Sequence, residues 1–588
     1  MLNKEFMTKK FHAAWNNIEK WKKITLGIFS LNFFLVFQNF LPNLSQINVW
    51  DEADYVHFGK FLVEGQWPPL SWSPLTALFY GFLYLMLKNS FFWFLLSISI
   101  GRITAFLLLW LSTYLIAKEL RKLISPLIII ALAAISPLFI DILKNPSDAF
   151  FAALTGLAFW QLLSYYHQKR NANLTGLSIY LGLASLLRND GLILFAIVVI
   201  IITFLTYKQI SLVSWLPRLV IPFSAIVGGY ILLFWAVSGT LEIGTGKRSY
   251  IAFVQGHELV YQNNNECPYG NQKCAVLDAN EKFGSAEENN HSVLKAITNN
   301  PGEYLIRVRK IIALLPERFF NDYGRQFSYF LLFFASTGIL NLIFVRQRIL
   351  LAILVLWISY LGVYFLTFFR TGYLQTPFFI LFILAAFGIE YVSNVAHNNK
   401  HFFVFSLAVL TIIVSGVAFN VPSVYFNFAI LFFAVLLIRF FKSYAELPQK
   451  FHQTLSVLTL IMAFMIVRDG YYPVIVGREF GQIPEEQALL TMVESFDNNT
   501  TIAAGSRGVV QAANMRYFAL GNETIETVSP ANLYTQLKEA NVKGIYVDPT
   551  LSSGNKTIWR LIESEIGNYY QILYTGKDGS ILVLKIQE

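Results

Sequence analysis

Charged residues are scarce in this chain. Asp, Glu, Lys and Arg make up 14% of its 588 residues, against 55% hydrophobic; soluble domains carry about 25% charged residues. A mean hydropathy of +0.51 means more apolar surface than one aqueous core can enclose, so lipid must solvate much of the chain. Cysteine is nearly missing as well: Cys267 and Cys274 stand seven apart in one polar loop. They read as a disulfide in an oxidising compartment, with two unpaired loop cysteines as the alternative. No GxGxxG, P-loop, HExxH or CxxC occurs, which removes the usual signatures of dinucleotide, nucleotide-phosphate and zinc binding. No cleavable signal peptide is expected either. The first 23 residues are polar and basic, and the apolar run from Ile24 has no small-residue cleavage site, so it is expected to be the first spanning helix.

Apolar runs are plentiful. They lie at about 24–42, 93–117, 123–140, 149–166, 174–187, 191–207, 216–237, 327–345, 349–369, 376–395, 402–419, 423–441 and 453–468. A span needs roughly 20 residues, which gives about thirteen transmembrane helices. A further run from Pro74 to Leu87 is short for a span and is expected to lie against the bilayer surface. The net charge of +9 follows the positive-inside rule better than it describes a nucleic-acid surface, because the basic residues sit in short breaks between apolar runs. Lys4 to Lys23, Lys118, Arg121 and Lys122, Lys169 and Arg170, Lys208 and Arg218, Arg346 and Arg348, Lys400, and Arg439 to Lys450 all fall on the N-terminal side of a thirteen-span chain. That side is expected to be cytoplasmic. The expected fold class is therefore a polytopic α-helical membrane protein with a small external α/β domain. Residues 1–23 form a cytoplasmic N-terminus, 24–469 a transmembrane module with external loops 43–92 and 238–326, and 470–588 the soluble domain.

In that last piece the patterns predict helix 484–496, strand 501–504, helix 508–519, strand 524–528, helix 530–540, strand 543–547, helix 555–566 and a strand pair near 570–585. In loop 238–326 they predict a helix from Pro301 to Leu315, with Arg307, Arg309 and Lys310 turned to water or lipid head groups.

Because every cytoplasmic loop is short, the chemistry is expected outside. The first external loop opens Trp50-Asp51-Glu52-Ala53-Asp54-Tyr55. Acids before a helical pattern can complement the helix dipole, but three in four residues beside a membrane exceed what capping needs, and carboxylates there tend to have perturbed pKa values. His57 reads as an interfacial residue, and His257 with Glu258 as a loop pair. Arg102, Arg188 and Arg370 each stand near the external end of an apolar run, where an arginine must pair, snorkel or bind an anion.

The Asp51-Glu52 pair, followed by an aromatic and a Pro-led helix, resembles the first external loop of the GT-C superfamily of membrane glycosyltransferases, with protein O-mannosyltransferases and bacterial aminoarabinose transferases as the closest in pattern. Asn145-Pro146-Ser147-Asp148 is similar to that superfamily's second acidic loop, Leu187-Arg188-Asn189-Asp190-Gly191 to its Leu-x-Arg-x-x-Gly turn, and Arg370-Thr371-Gly372-Tyr373-Leu374 to a split form of its Arg-Tyr-Leu segment. The resemblance covers about residues 20–400. It implies transfer of a sugar from a polyprenyl-phosphate donor, since nucleotide sugars do not reach an external site. Asp51, Glu52 and Asp148 become the expected catalytic carboxylates, with Asp51 as base. Tyr55, Arg102, Arg188, Lys247, Arg248, Arg370 and Tyr373 become the expected substrate-binding residues. A phosphate leaves without a proton, so one base suffices. No metal ligands are expected and no cofactor is required, although some relatives use a divalent cation. The expected partners are the lipid donor, bilayer lipid and an acceptor that is lipid, glycan or protein, without nucleic acid. Competing readings are a transporter or flippase, a polymerase of lipid-linked glycans, and a non-enzymatic scaffold or sensor; the terminal domain either binds acceptor or only braces the fold.

Overall fold

A computed structural model of the chain describes residues 20–40, 51–67, 73–90, 92–136, 142–206, 212–239, 272–322, 378–398, 484–520, 529–552, 556–576 and 579–587, with isolated positions between 250 and 257 and between 331 and 362. The membrane portion comprises α1 (Lys20–Phe40), α2 (Asp51–Val63), α3 (Pro74–Leu87), α4 (Trp93–Glu119), α5 (Pro126–Ile135), α6 (Pro146–Gln168), α7 (Asn171–Leu187), α8 (Asp190–Thr206) and α9 (Leu212–Ser238). Three described helices are long and apolar enough to cross a bilayer, at Trp93–Glu119, Ser147–Gln168 and Trp215–Val237. α9 turns Ile221, Leu232 and Trp235 outward, as a lipid-facing helix must. The apolar runs at 402–419, 423–441 and 453–468 lie outside the described residues, as do most of 327–345 and 349–369.

Local chemistry sets the helix starts. Ser73 caps α3 by accepting from the Thr76 amide at 3.4 Å, and Pro74 supplies the first helical residue. Pro146 likewise supplies the first helical residue of α6, after an Asn145 that makes no side-chain cap bond. Polar side chains tie the apolar helices together: Asn32 donates to the carbonyl of Ala134 at 2.8 Å and accepts from the Trp110 indole at 3.2 Å, so α1, α4 and α5 share one satisfied polar node. At one end of the bundle, Glu119 of α4 accepts from Ser164 at 3.0 Å and meets His167 of α6 at 2.9 Å. α4 and α6 therefore run in the same direction with their C-terminal ends together. Their N-terminal ends, with Asp148, lie at the opposite end.

α2 and α3 pack against each other at a crossing that depends on glycine. A Cβ on Gly59 would lie 2.4 Å from the backbone nitrogen of Gly81. The two backbones approach closer there than any side chain permits.

The loop helices are α10 (Gln272–Phe283), α11 (Val293–Asn299) and α12 (Pro301–Asp322), followed by α13 (Phe378–Asn398). α12 outruns the expected Pro301–Leu315. Arg307 corrects its expected exposure: the residue is wholly buried, donates to the Phe253 carbonyl at 2.8 Å and lies 4.4 Å over the Phe253 ring. Its guanidinium serves as a polar tie under a small core of Tyr250, Phe253, Phe283 and Tyr304. Arg309 is exposed.

The C-terminal part holds α14 (Pro484–Ser495), β1 (Thr501–Ala504), α15 (Gly508–Ala512), β2 (Arg516–Ala519), α16 (Pro530–Glu539), β3 (Val542–Val547), α17 (Pro549–Ser552), α18 (Lys556–Glu563), β4 (Tyr570–Thr575) and β5 (Leu582–Ile586). The sheet order is β2-β1-β3-β5-β4, with β2, β1 and β3 parallel and β5 antiparallel to its neighbours. The expected helix 508–519 is corrected: it stops after Ala512, because Asn514 adopts a left-handed φ of 59°, and residues 516–519 form β2 instead. The expected strand at 524–528 lies outside the described residues.

Candidate active site

The acidic signature starts α2. Asp51 is the first residue of that helix; its side chain lies outside the described residues. Glu52 is fully buried and holds Arg102 of α4 in a two-pronged ion pair, Nε to Oε1 at 2.8 Å and Nη2 to Oε2 at 2.5 Å. A carboxylate and a guanidinium both removed from water require this kind of mutual pairing. Arg102, expected to meet a phosphate, is thus engaged by Glu52. Gly101 beside it leaves space for the Tyr80 hydroxyl, which would stand 2.3 Å from a Cβ at that position. Tyr55 is buried in the apolar cluster that α2 shares with α3 and α4.

Asp54 faces the other way. It is buried, bonds to Arg507 at the start of α15, and accepts from the Gln511 amide at 3.2 Å. Lys60 donates to Asn514 at 2.7 Å. His57 is 8% exposed, and burial together with the Lys60 charge pulls its pKa down to about 4. Its ring is held neutral at physiological pH, in edge contact with Phe61 at 4.4 Å.

A second charged cluster joins three helix termini. Asp148, in the first turn of α6, accepts from Asn145 at 2.8 Å and pairs with Arg188 at the C-cap of α7. Arg188 Nε also donates to Asp190, the first residue of α8, at 2.9 Å. Its guanidinium lies 5.7 Å from the Phe151 ring. Gly191 is required by space, since a Cβ there would stand 2.5 Å from the Ser185 nitrogen. Ser73 ties the start of α3 to the same corner by donating to the Leu186 carbonyl at 3.1 Å. Arg188 and Asp148 remain 16% and 13% exposed, so this cluster opens to its surroundings while the Glu52–Arg102 pair is sealed. Beneath it, Phe151, Thr155, Phe159, Leu181, Leu194 and Tyr360 line an apolar cavity between α6, α7 and α8.

Two expected pairs of roles are thus brought together, Glu52 with Arg102 and Asp148 with Arg188. Lys247, Arg248, Arg370, Tyr373, Cys267 and Glu258 lie outside the described residues, and Cys274 falls in α10 with its side chain outside them. His257, expected as a partner of Glu258, contacts Asp278 at 2.6 Å. Asp190, Arg507 and Gln511 were not singled out as site residues; Asp190 was visible as part of the Leu-Arg-Asn-Asp-Gly turn, and nothing local marked the other two. Among the described residues no group of three His, Cys, Asp or Glu side chains is placed to hold a metal.

The chain is similar to ArnT from Cupriavidus metallidurans in the apo state, with a TM-score of 0.53 at 12% identity over 96% of this chain and 97% of that one. The same protein bound to undecaprenyl phosphate gives 0.52 at 10% identity, again over 96% and 97%. The archaeal oligosaccharyltransferase AglB from Archaeoglobus fulgidus, in complex with an inhibitory peptide and a dolichol-phosphate, gives 0.50 at 12% identity over 97% of this chain and 75% of that one. No family model matches the sequence, and no curated protein matches it. The fold expected from the resemblance is the fold these solved structures share with the chain.

Proposed function

We propose that the protein is a GT-C-type glycosyltransferase that moves a sugar from a polyprenyl-phosphate donor to an acceptor on the external face of the membrane, with inversion. The observation that carries this reading is the likeness in fold, end to end, to ArnT bound to undecaprenyl phosphate, joined to an acid–arginine cluster that stays partly open to its surroundings. Asp51 takes the proton from an acceptor hydroxyl or amine, which attacks the anomeric carbon as the lipid phosphate departs. Arg188 meets the phosphate charge that develops, with Asp148 and Asp190 fixing its plane. Arg370, Tyr373, Lys247 and Arg248 supply further donor contacts. Glu52, through Arg102, sets the turn that carries Asp51. No divalent cation is required. The end of the bundle that holds Glu119 and His167 carries Lys118, Arg121, Lys122, Lys169 and Arg170, which supports a cytoplasmic assignment for it and an external one for the acidic end.

The test is a lipid extract from three strains: deleted, rescued with wild type, and rescued with Asp51→Asn at equal protein level. Mass spectrometry of polyprenyl-phosphate sugars is expected to show one such lipid accumulating in the first and third strains only. If Asp51→Asn matches wild type, Asp51 is not the base. If no such lipid changes in any strain, the donor class is wrong.

A further inference from the structure

In the C-terminal sheet, β1 lies between β2 and β3 and runs parallel to both. The connection leaving β1 passes to β2 on one side, while β3 leads away toward β5 and β4 on the other. That is a topological switch point, the place where open α/β sheets receive ligands beyond the carboxyl ends of their strands. The loop after β1 there carries Gly505, Ser506 and Arg507, and the loop after β3 carries Asp548. The two approach so closely that a Cβ on Gly505 would lie 3.0 Å from Asp548 Oδ1. Asp548 is turned inward, where it accepts from the Leu551 amide at 2.9 Å.

Arg507 is turned outward, over the Tyr517 ring at 5.2 Å, and it meets a carboxylate already present in the chain. Asp54 pairs with it and also takes the Gln511 amide. One helical turn from Asp54 stands Asp51, and on the opposite side of the same helix Glu52 grips Arg102. Two turns on, Lys60 reaches Asn514 at the end of α15. The acidic helix is thereby clamped from two sides, by α4 below and by the terminal domain above.

We infer that Arg507 is a positioning residue: the switch-point position of the terminal domain is taken up by Asp54 of the chain itself, and the domain's work is to fix the turn that carries Asp51. This makes the domain a brace for the reacting helix rather than a reader of acceptor. The consequence for catalysis rests on the transferase reading above; the docking does not. Asp54 is 2% exposed, so removing its guanidinium leaves a buried carboxylate that must find water, and α2 has to loosen to admit it.

Hydrogen–deuterium exchange on the full-length protein in lipid nanodiscs decides the point. Wild type, Arg507→Met, Arg507→Lys and the exposed control Lys556→Met are compared. Arg507→Met is expected to raise exchange in residues 51–63 at least tenfold while strand 542–547 keeps its protection. Arg507→Lys restores most of that protection, and Lys556→Met changes nothing. Unchanged exchange in 51–63 overturns the inference. So does an equal rise in 542–547, which would mean that Arg507 holds its own domain together. The same variants in the lipid assay separate the two readings. If Asp51→Asn accumulates a polyprenyl-phosphate sugar and Arg507→Met does not, the positioning role in the reaction is overturned. If Asp51→Asn accumulates none, the transferase reading fails and the exchange data alone judge the docking.

Discussion

Glu52→Gln tests the sealed ion pair. Glu52 and Arg102 side chains are 0% and 2% exposed and meet through two hydrogen bonds. Breaking such a pair from one side leaves an uncompensated buried charge and costs about 3–5 kcal/mol. Arg102→Met alone should cost a similar amount, because Glu52 is then the stranded charge. The double variant Glu52→Gln with Arg102→Met removes both charges and keeps most of the volume, so it should recover most of the loss. The expected coupling energy in this cycle is at least about 2 kcal/mol, well beyond the roughly 0.3–0.5 kcal/mol by which independent sites depart from additivity. The assay is reversible unfolding in mixed micelles at several denaturant ratios, run on all four proteins. Additive losses would refute the buried-pair reasoning outright. Activity in the lipid assay then sorts the roles: return of turnover in the double variant means that Glu52 only holds the helix, and a stable but silent double variant means that it takes part in the chemistry.

The neutral, buried His57 predicts a pH dependence. Its folded pKa of about 4 lies below the usual value near 6.5, so as pH falls the unfolded chain takes up the proton first. Its contribution is intact above about pH 6.5 and drains away down to about pH 4, by at most about 3 kcal/mol; His57→Phe should flatten this acid limb in a thermal unfolding series, and an unchanged limb would show that other groups set it. Gly59→Ala forces a methyl into a gap of 2.4 Å against Gly81, so α2 and α3 must separate, with an expected cost of about 1–3 kcal/mol and a lower yield of folded protein in size-exclusion chromatography; normal yield and stability would mean that the crossing can relax. Arg188→Gln leaves Asp148 and Asp190 without their shared cation and should cut turnover about tenfold to a thousandfold, read as lipid accumulation at equal protein level, while wild-type turnover would remove Arg188 from the site.

Several local signals were legible in the sequence to within a residue or two. The run 74–87 is α3 as expected because Ser73-Pro74 marks its start and composition alone carries the rest. Strand 501–504 matches β1 for similar reasons. Residues 508–519 failed because a mostly apolar string broken by Gln511, Asn514 and Arg516 carries both helical and strand periods, and the left-handed turn at Asn514 is decided by the sheet that Arg516 to Ala519 joins. Charge pairing was the part that pattern could not supply. Arg188 and Asp148 were both suspected, but only folding shows that one holds the other. Arg307 looked solvated on a strongly amphipathic helix until Phe253, 54 residues earlier, closed over it. Asp54 is visible as one of the three clustered acids, yet its partner Arg507 lies far beyond any sequence window.

That separation has a consequence for how the molecule is made. Asp54 and Arg507 are 453 residues apart, and chains grow at about 5–20 residues per second, so the acidic helix waits on the order of half a minute or more for its guanidinium. During that time the carboxylate that ends up buried must stay wet, and α2 stays unlocked. Any chain cut short before Arg507 therefore keeps its acidic segment open to proteases and chaperones, so the segment around Arg507 acts as a certificate of completion for the first external loop.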